Sequence, residues 1–216
     1  MRKALRRGLL LLLAASVLAV PAVANGRVLG DLYSSGDDAA DARRSGRSLN
    51  AVGLTTDRRL VRFSTDTPGR TRNIGKVQNG LSGDQSLIGI DYRVQDGKLY
   101  GVGNNGGIYT LSAADASASK VGQLTVGLMG TAFGVDFNPA ANRLRVISNT
   151  GQNLRHNIDD ATATAPPLAG MTQNDGTLTI PPATTPAAGV TGAAYTNNDN
   201  ATRLHWPADQ RGWRAA

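Results

Sequence analysis

Leu87-Ile88-Gly89-Ile90-Asp91-Tyr92, a turn, and Lys98-Leu99-Tyr100-Gly101-Val102 form a unit. The unit recurs 45 residues later as Ala132-Phe133-Gly134-Val135-Asp136-Phe137, a turn, and Arg143-Leu144-Arg145-Val146-Ile147. Val190-Thr191-Gly192-Ala193-Ala194-Tyr195 is a degenerate third copy. The segments that follow also match: Arg59-Leu60-Val61-Arg62-Phe63, Gly107-Ile108-Tyr109-Thr110-Leu111 and Asn153-Leu154-Arg155-His156-Asn157 hold one place in successive units. His156 is read as level with Thr110 and Ser64, on a partly exposed strand position. A period near 45 residues with about four short strands in each is the spacing of propeller blades. The fold class is therefore all-β: propeller-like repeats of four-stranded antiparallel sheets, about three and a half units, forming an incomplete ring.

Turn chemistry supports the hairpins. Asp96-Gly97 supplies a tight reversal, and Asn104-Asn105-Gly106 and Asn149-Thr150-Gly151 serve the next turn of each unit. Alternation points Leu87, Gly89 and Asp91 to one face, and Ile88, Ile90 and Tyr92 to the other. Gly89, Gly101 and Gly134 inside strands mark close backbone approach between packed sheets. Residues 161–189 are rich in Ala, Thr and Pro and read as a long surface connection, with one strand over residues 177–180.

The ends of the chain differ in texture. Met1–Arg7 is basic, Leu9–Val20 is apolar and Ala22-Val23-Ala24 offers a small-residue cleavage pattern, so residues 1–24 read as a secretory signal peptide. The apolar run is shorter than the ~20 residues of a comfortable span, and no membrane span is expected after cleavage. The expected location is secreted or periplasmic. Residues 25–48 are polar and read as a flexible leader, residues 49–200 as the propeller-like domain, and residues 201–216 as an atypical tail. Lys and Arg number 23 against 16 Asp; removal of the signal leaves 19 basic residues, so the excess is modest. With few aromatics beside it, no nucleic-acid partner is expected. The absence of Cys and Glu excludes thiolate chemistry, disulfides and Glu general bases.

Residues from Leu49 to Asn198 resemble a bacterial secreted family catalogued as domain of unknown function 4394. The stretches that carry the likeness include Val52-Gly53-Leu54-Thr55-Thr56-Asp57, Gly130-Thr131-Ala132-Phe133-Gly134-Val135-Asp136-Phe137-Asn138-Pro139, Asn149-Thr150-Gly151-Gln152-Asn153-Leu154-Arg155 and Ala193-Ala194-Tyr195-Thr196-Asn197-Asn198. The resemblance implies a propeller-like fold and export, and carries no activity. Family members continue with strand-like sequence after the Tyr-Thr-Asn-Asn run, so the reading includes truncation or a frameshift near Asn200.

Three constellations carry candidate chemistry. Asp91 and Asp136 hold equivalent positions and, lining a central channel with Asn138 and Asn149, could ligate a cation such as Ca²⁺; no other cofactor is expected. The alternative reading of Asp91 and Asp136 is that each accepts hydrogen bonds from the backbone of its own turn. Arg143, Arg145 and Arg155 fall on adjacent strands and suit an anion, such as an acidic glycan, by the fork geometry of guanidinium. Gly101-Val102-Gly103-Asn104-Asn105-Gly106 matches the dinucleotide glycine pattern but runs into strand, not helix, and reads as a hairpin turn. The expected function is that of an exported non-catalytic protein that binds a small molecule, glycan or protein. The alternative is a lactonase-like, metal-dependent hydrolase using the channel-facing Asp and Asn residues.

Overall fold

The computed structural model describes residues 19–20, 48–77, 80–180, 182 and 184–195. Most of the segment read as a signal peptide, residues 25–47 of the expected leader and the tail after residue 200 lie outside these. The described residues contain twelve strands and no helix. They form three antiparallel sheets of four strands, none closed into a barrel. The first sheet runs β1 (Ala19–Val20), β2 (Asn50–Leu54), β3 (Arg59–Ser64) and β4 (Arg72–Lys76). The second runs β5 (Leu87–Tyr92), β6 (Leu99–Gly103), β7 (Gly107–Leu111) and β8 (Ala118–Gln123). The third runs β9 (Phe133–Asn138), β10 (Arg143–Ser148), β11 (Asn153–His156) and β12 (Thr172–Asn174). Each is an up-and-down meander, as short connections between apolar runs dictate. Together they make an incomplete propeller-like array, in which β5 runs against β9 across the sheet boundary.

Register makes the repeat exact at the level of single residues. Tyr92 pairs with Leu99 and Asp91 with Tyr100, while Phe137 pairs with Leu144 and Asp136 with Arg145. Leu99 in turn faces Leu111 across the ladder, and Leu144 faces His156. His156 is therefore the counterpart of Leu111, one place on from the position the sequence alignment gives it. That shift turns it from a part-exposed site to the sheet's inner face, where it is 2% exposed.

Two apolar cores lie between successive sheets. Val52 and Leu60 of the first sheet meet Ile90, Leu99 and Leu111 of the second. Tyr100, Val102 and Ile108, on the opposite face of the second sheet, meet Phe137, Leu144 and Leu154 of the third. Each fully buried side chain of this kind stabilises by roughly 1.5–3 kcal/mol. The rings of Tyr100 and Phe137 meet edge to face, with centroids 5.3 Å apart at 67°. The simple alternation expected of β5 fails at its start. A register shift between Leu87 and Gly89 inserts Ile88 as a bulge, which puts Leu87 with Ile90 against the first sheet and Ile88 against the third. The long connection also departs from expectation: its ladder strand is β12, while residues 177–180 contribute only an isolated bridge from Thr179 to Pro186. Thr172 is placed there by reciprocal bonds with Thr125 and by the His156 ring.

Between strands, polar groups are held by the turns. Tyr109, fully buried, donates its hydroxyl to Asp84 Oδ2 at 2.5 Å, and burial with this carboxylate pushes the phenol up to about 12. Tyr109→Phe leaves a buried carboxylate oxygen short of a donor. It is expected to lower unfolding free energy by about 1–3 kcal/mol, with a smaller midpoint and unchanged slope in urea titration.

Candidate functional site

The equivalent aspartates sit on the innermost strands and act across sheet boundaries. Asp91 Oδ2 accepts the backbone N–H of Phe137 at 2.7 Å. Asp136 Oδ2 accepts the backbone N–H of Tyr195 at 2.6 Å. Phe137 follows Asp136 by one residue, as Tyr195 follows Ala194, so both bonds make the same step from one repeat to the next. The degenerate third copy thus takes the place of an inner strand beside β9. The glycines two residues earlier fit the same step: a Cβ on Gly89 would lie 2.6 Å from Val135 Cγ2, and one on Gly134 would lie 2.7 Å from Ala193 N. These carboxylates clasp the neighbouring repeat, rather than the backbone of their own turn.

Burial makes the clasp electrostatically unusual. Asp91 and Asp136 are 2% and 4% exposed. Burial first, and then the charge of Asp136, push Asp91 from the ordinary carboxylate range up to about 8. Burial raises Asp136 as well, against the hydrogen bond that Asp91 lends it and the Tyr195 amide. Oδ1 of Asp91 is buried and meets no donor, while its partner is another acceptor. A proton on Asp91 would supply the donor that the pair lacks.

The two asparagines grouped with this pair are placed differently. Asn138 ends β9 and spends its Oδ1 on the N–H of Ala141 at 3.0 Å. Asn149 lies beyond the opposite end of the β9–β10 ladder. Its Oδ1 accepts the amides of Thr131 and Ala132 at 3.0 and 3.3 Å. Asn104 binds Gln85 and Ser86 in the same manner one repeat earlier, at 2.8 and 3.0 Å. The structure therefore brings Asp91 and Asp136 together and leaves Asn149 as a repeated loop anchor.

The three arginines do share a face. Arg143, Arg145 and Arg155 point away from the second sheet, on the side of β10 and β11 that carries the 184–195 segment. At the matching places the earlier sheets carry Val52 with Arg62 and Tyr100 with Thr110, where the third has Arg145 with Arg155. Asp175 bridges Arg145 at 2.8 Å and Arg155 at 3.0 Å. Arg145 also reaches Asn153 at 2.7 Å and the Tyr195 hydroxyl at 3.3 Å. Arg143 binds Asp160 at 3.0 Å. Arg143, Arg155, Asp160, Thr162, Pro166 and Pro167 line a surface cleft of about 360 Å³. Within this group the Nε of Arg155 is buried without a hydrogen-bond acceptor.

Two polar groups carry a structural weight that the sequence reading did not give them. Arg93 is 4% exposed and ties the second sheet to the third through Asn142 Oδ1 at 3.0 Å and Asp159 at 2.5 Å. Its signal was available only as an arginine directly after an inner strand. His156 is held neutral, with burial pushing it down to about 4, and its Nδ1 pairs with Thr172 Oγ1 at 2.9 Å.

No curated protein and no solved structure matches the chain. The pattern of one family does match, over residues 59–205, about two thirds of the length, with β3 and β4 of the first sheet and the whole of the second and third. That span includes both aspartates, the three arginines and the third inner-strand copy, and by it the chain belongs to the family described as domain of unknown function DUF4394.

Proposed function

We propose that the protein is an exported, non-catalytic binding protein that takes up an anionic ligand on the arginine face of its third sheet. The observation that carries this reading is the surface cleft of about 360 Å³ that Arg143 and Arg155 line together. Guanidinium groups favour carboxylate and phosphate because their forked N–H groups match two oxygens at once. Thr162 and the flat faces of Pro166 and Pro167 complete walls that suit a sugar ring, so an acidic glycan is the ligand class of choice. Asp160 and Asp175 neutralise part of the positive charge, which sets a moderate affinity. Export follows from the pattern of residues 1–24; among the described residues no helix is long and apolar enough to cross a membrane. The reading of Asp91 and Asp136 as a hydrolytic metal centre is the weaker one, because each already spends an oxygen on a backbone amide of the next repeat.

Calorimetric titration with oligogalacturonate tests the proposal. Binding is expected to weaken with added salt, and Arg155→Gln is expected to weaken it at least tenfold, about 1.4 kcal/mol. Equal binding of a neutral oligosaccharide, or an unchanged affinity in Arg155→Gln, would overturn it.

A further inference from the structure

The described residues hold two unmatched parts of a sheet. In the first sheet, β2, β3 and β4 have their innermost place filled only by β1, whose two residues pair with Ala51 and Asn50. Val52, Gly53 and Leu54 run on past that ladder, and β1 belongs to the segment read as a signal peptide. Residues 190–195 are the converse. They stand beside β9 in the place of an inner strand, held by the bond from the Tyr195 amide to Asp136. The described residues give this segment no second strand, and Thr191, Gly192 and Ala194 are exposed.

The repeat register shows that the two parts fit. Ala51, Val52, Gly53 and Leu54 hold the places of Leu99, Tyr100, Gly101 and Val102. The inner-strand partners of those four are Tyr92, Asp91, Ile90 and Gly89. Residues 190–195 offer Tyr195, Ala194, Ala193 and Gly192 at the same places. The faces agree as well. Leu99 and Leu111 turn back against the first sheet. Ala51 and Phe63 hold these places in the first sheet, where no described sheet precedes them. Arg155 holds the place of Arg62, whose guanidinium crosses to the Ala113 carbonyl of the next sheet at 3.0 Å. No described sheet follows the third to receive Arg155 in the same way.

We propose that two copies of the chain close one ring, residues 190–195 of each forming the innermost strand of the other's first sheet in place of β1. Number decides the occupant. Closed rings of this kind hold about four to eight sheets. One chain supplies three, too few to close on itself; three chains supply nine, too many; two supply six. The junction continues a contact that each chain already makes from first sheet to second and from second to third. A head-to-tail contact that closes after a fixed number of copies gives a ring instead of a filament. Pairing also covers the strand edges of β2 and of residues 190–195, which would otherwise invite unspecific association.

Cysteine trapping tests this, because the chain has no cysteine of its own. The exported protein is expected to show twice the mass of one chain by light scattering. Ala194→Cys with Val52→Cys, and Tyr195→Cys with Ala51→Cys, are adjacent pairs, so one of them occupies the closer site of the antiparallel ladder. On oxidation at least one is expected to link two chains, in fivefold or greater yield over Ala194→Cys with Asn50→Cys, which is offset by two residues. Phe63→Asp, on the face that the second copy covers, is expected to halve the mass in solution and leave the β-sheet circular-dichroism spectrum unchanged. The trapped pairs decide even where that variant does not fold. A monomer, disulfides formed within one chain, equal yields in matched and offset pairs, or a folded Phe63→Asp protein that stays dimeric would each overturn the proposal.

Discussion

Gly89→Val is expected to separate the second and third sheets. A Cβ at this position lies 2.6 Å from Cγ2 and 2.7 Å from Cβ of Val135, distances that real side chains do not tolerate. Val135 is 2% exposed and its Cβ is fixed to the backbone of β9, so it has no rotamer that clears the space. The strands cannot move apart either. Asp91 holds the Phe137 amide at 2.7 Å only two residues away, and widening the gap strips a buried carboxylate of its donor. Overpacking and loss of the clasp therefore act together, with an expected cost of about 3 kcal/mol or more, enough to unfold a marginal domain. Gly69→Val provides the comparison: nothing lies within 4 Å of a Cβ there, and its effect should stay within about 0.5 kcal/mol. Guanidinium unfolding of the two variants measures the difference. A Gly89→Val protein with the parent's midpoint would show that β5 and β9 do not meet at this point.

That contact was legible in the sequence, and the reason is instructive. Glycine inside a strand has few uses, and finding it at one place in two copies, Gly89 and Gly134, leaves close approach as the economical explanation. Gly101 has the same local signal but a different cause: its close neighbours are Leu111 and Leu87 of its own sheet. The repeat, the antiparallel meander and the equivalence of Asp91 and Asp136 were legible for the same reason, since identical residues at a fixed period imply identical surroundings; that each holds an amide of the next repeat was not. What a repeat cannot announce is a local insertion. The bulge at Ile88 adds no residue that differs in kind from its neighbours, yet it turns Leu87 to the other face. The same one-residue ambiguity placed His156 level with Thr110 instead of Leu111, and so made a buried neutral histidine look half exposed.

The arginine face shows the converse. Three arginines on neighbouring strands were visible as a group, but their net charge depends on Asp160 and Asp175, which arrive from the long connection. In that connection the sequence pointed to a strand at residues 177–180 and gave no sign of one at Thr172–Asn174, because the Ala, Thr and Pro content carries no period of two. The strand β12 forms there through pairing with β11 from His156↔Thr172 to Leu154↔Asn174, a tertiary cause with no local signature.

Folding stability should fall as pH rises from about 6.5 to 8, and Asp91→Asn should abolish the fall. Asp91 is raised from the ordinary aspartate range to about 8. Between these limits the native state holds a proton that the unfolded chain has released, so each step up in pH favours unfolding. His156 works in the opposite sense. Burial lowers it to about 4 from an unfolded value near 6.5, so between those limits the unfolded chain binds the extra proton and stability rises with pH. The two slopes oppose each other below about 6.5, where little net change is expected. Above it the histidine is neutral in both states and the aspartate pair acts alone, at most about 1.4 kcal/mol per pH unit for a single proton. Asparagine at position 91 keeps an oxygen for the Phe137 amide and offers its own N–H groups to Asp136, so the clasp survives without a titrating proton. At pH 8 this variant should be more stable than the parent by about 1–2 kcal/mol. Asp91→Ala, which lacks the acceptor, should be weaker at every pH. Urea titrations at pH 6.5, 7.2 and 8 decide the matter: a flat profile in the parent would remove the shared proton, and a midpoint at pH 8 raised by calcium in the parent but not in Asp91→Asn would put a cation in its place.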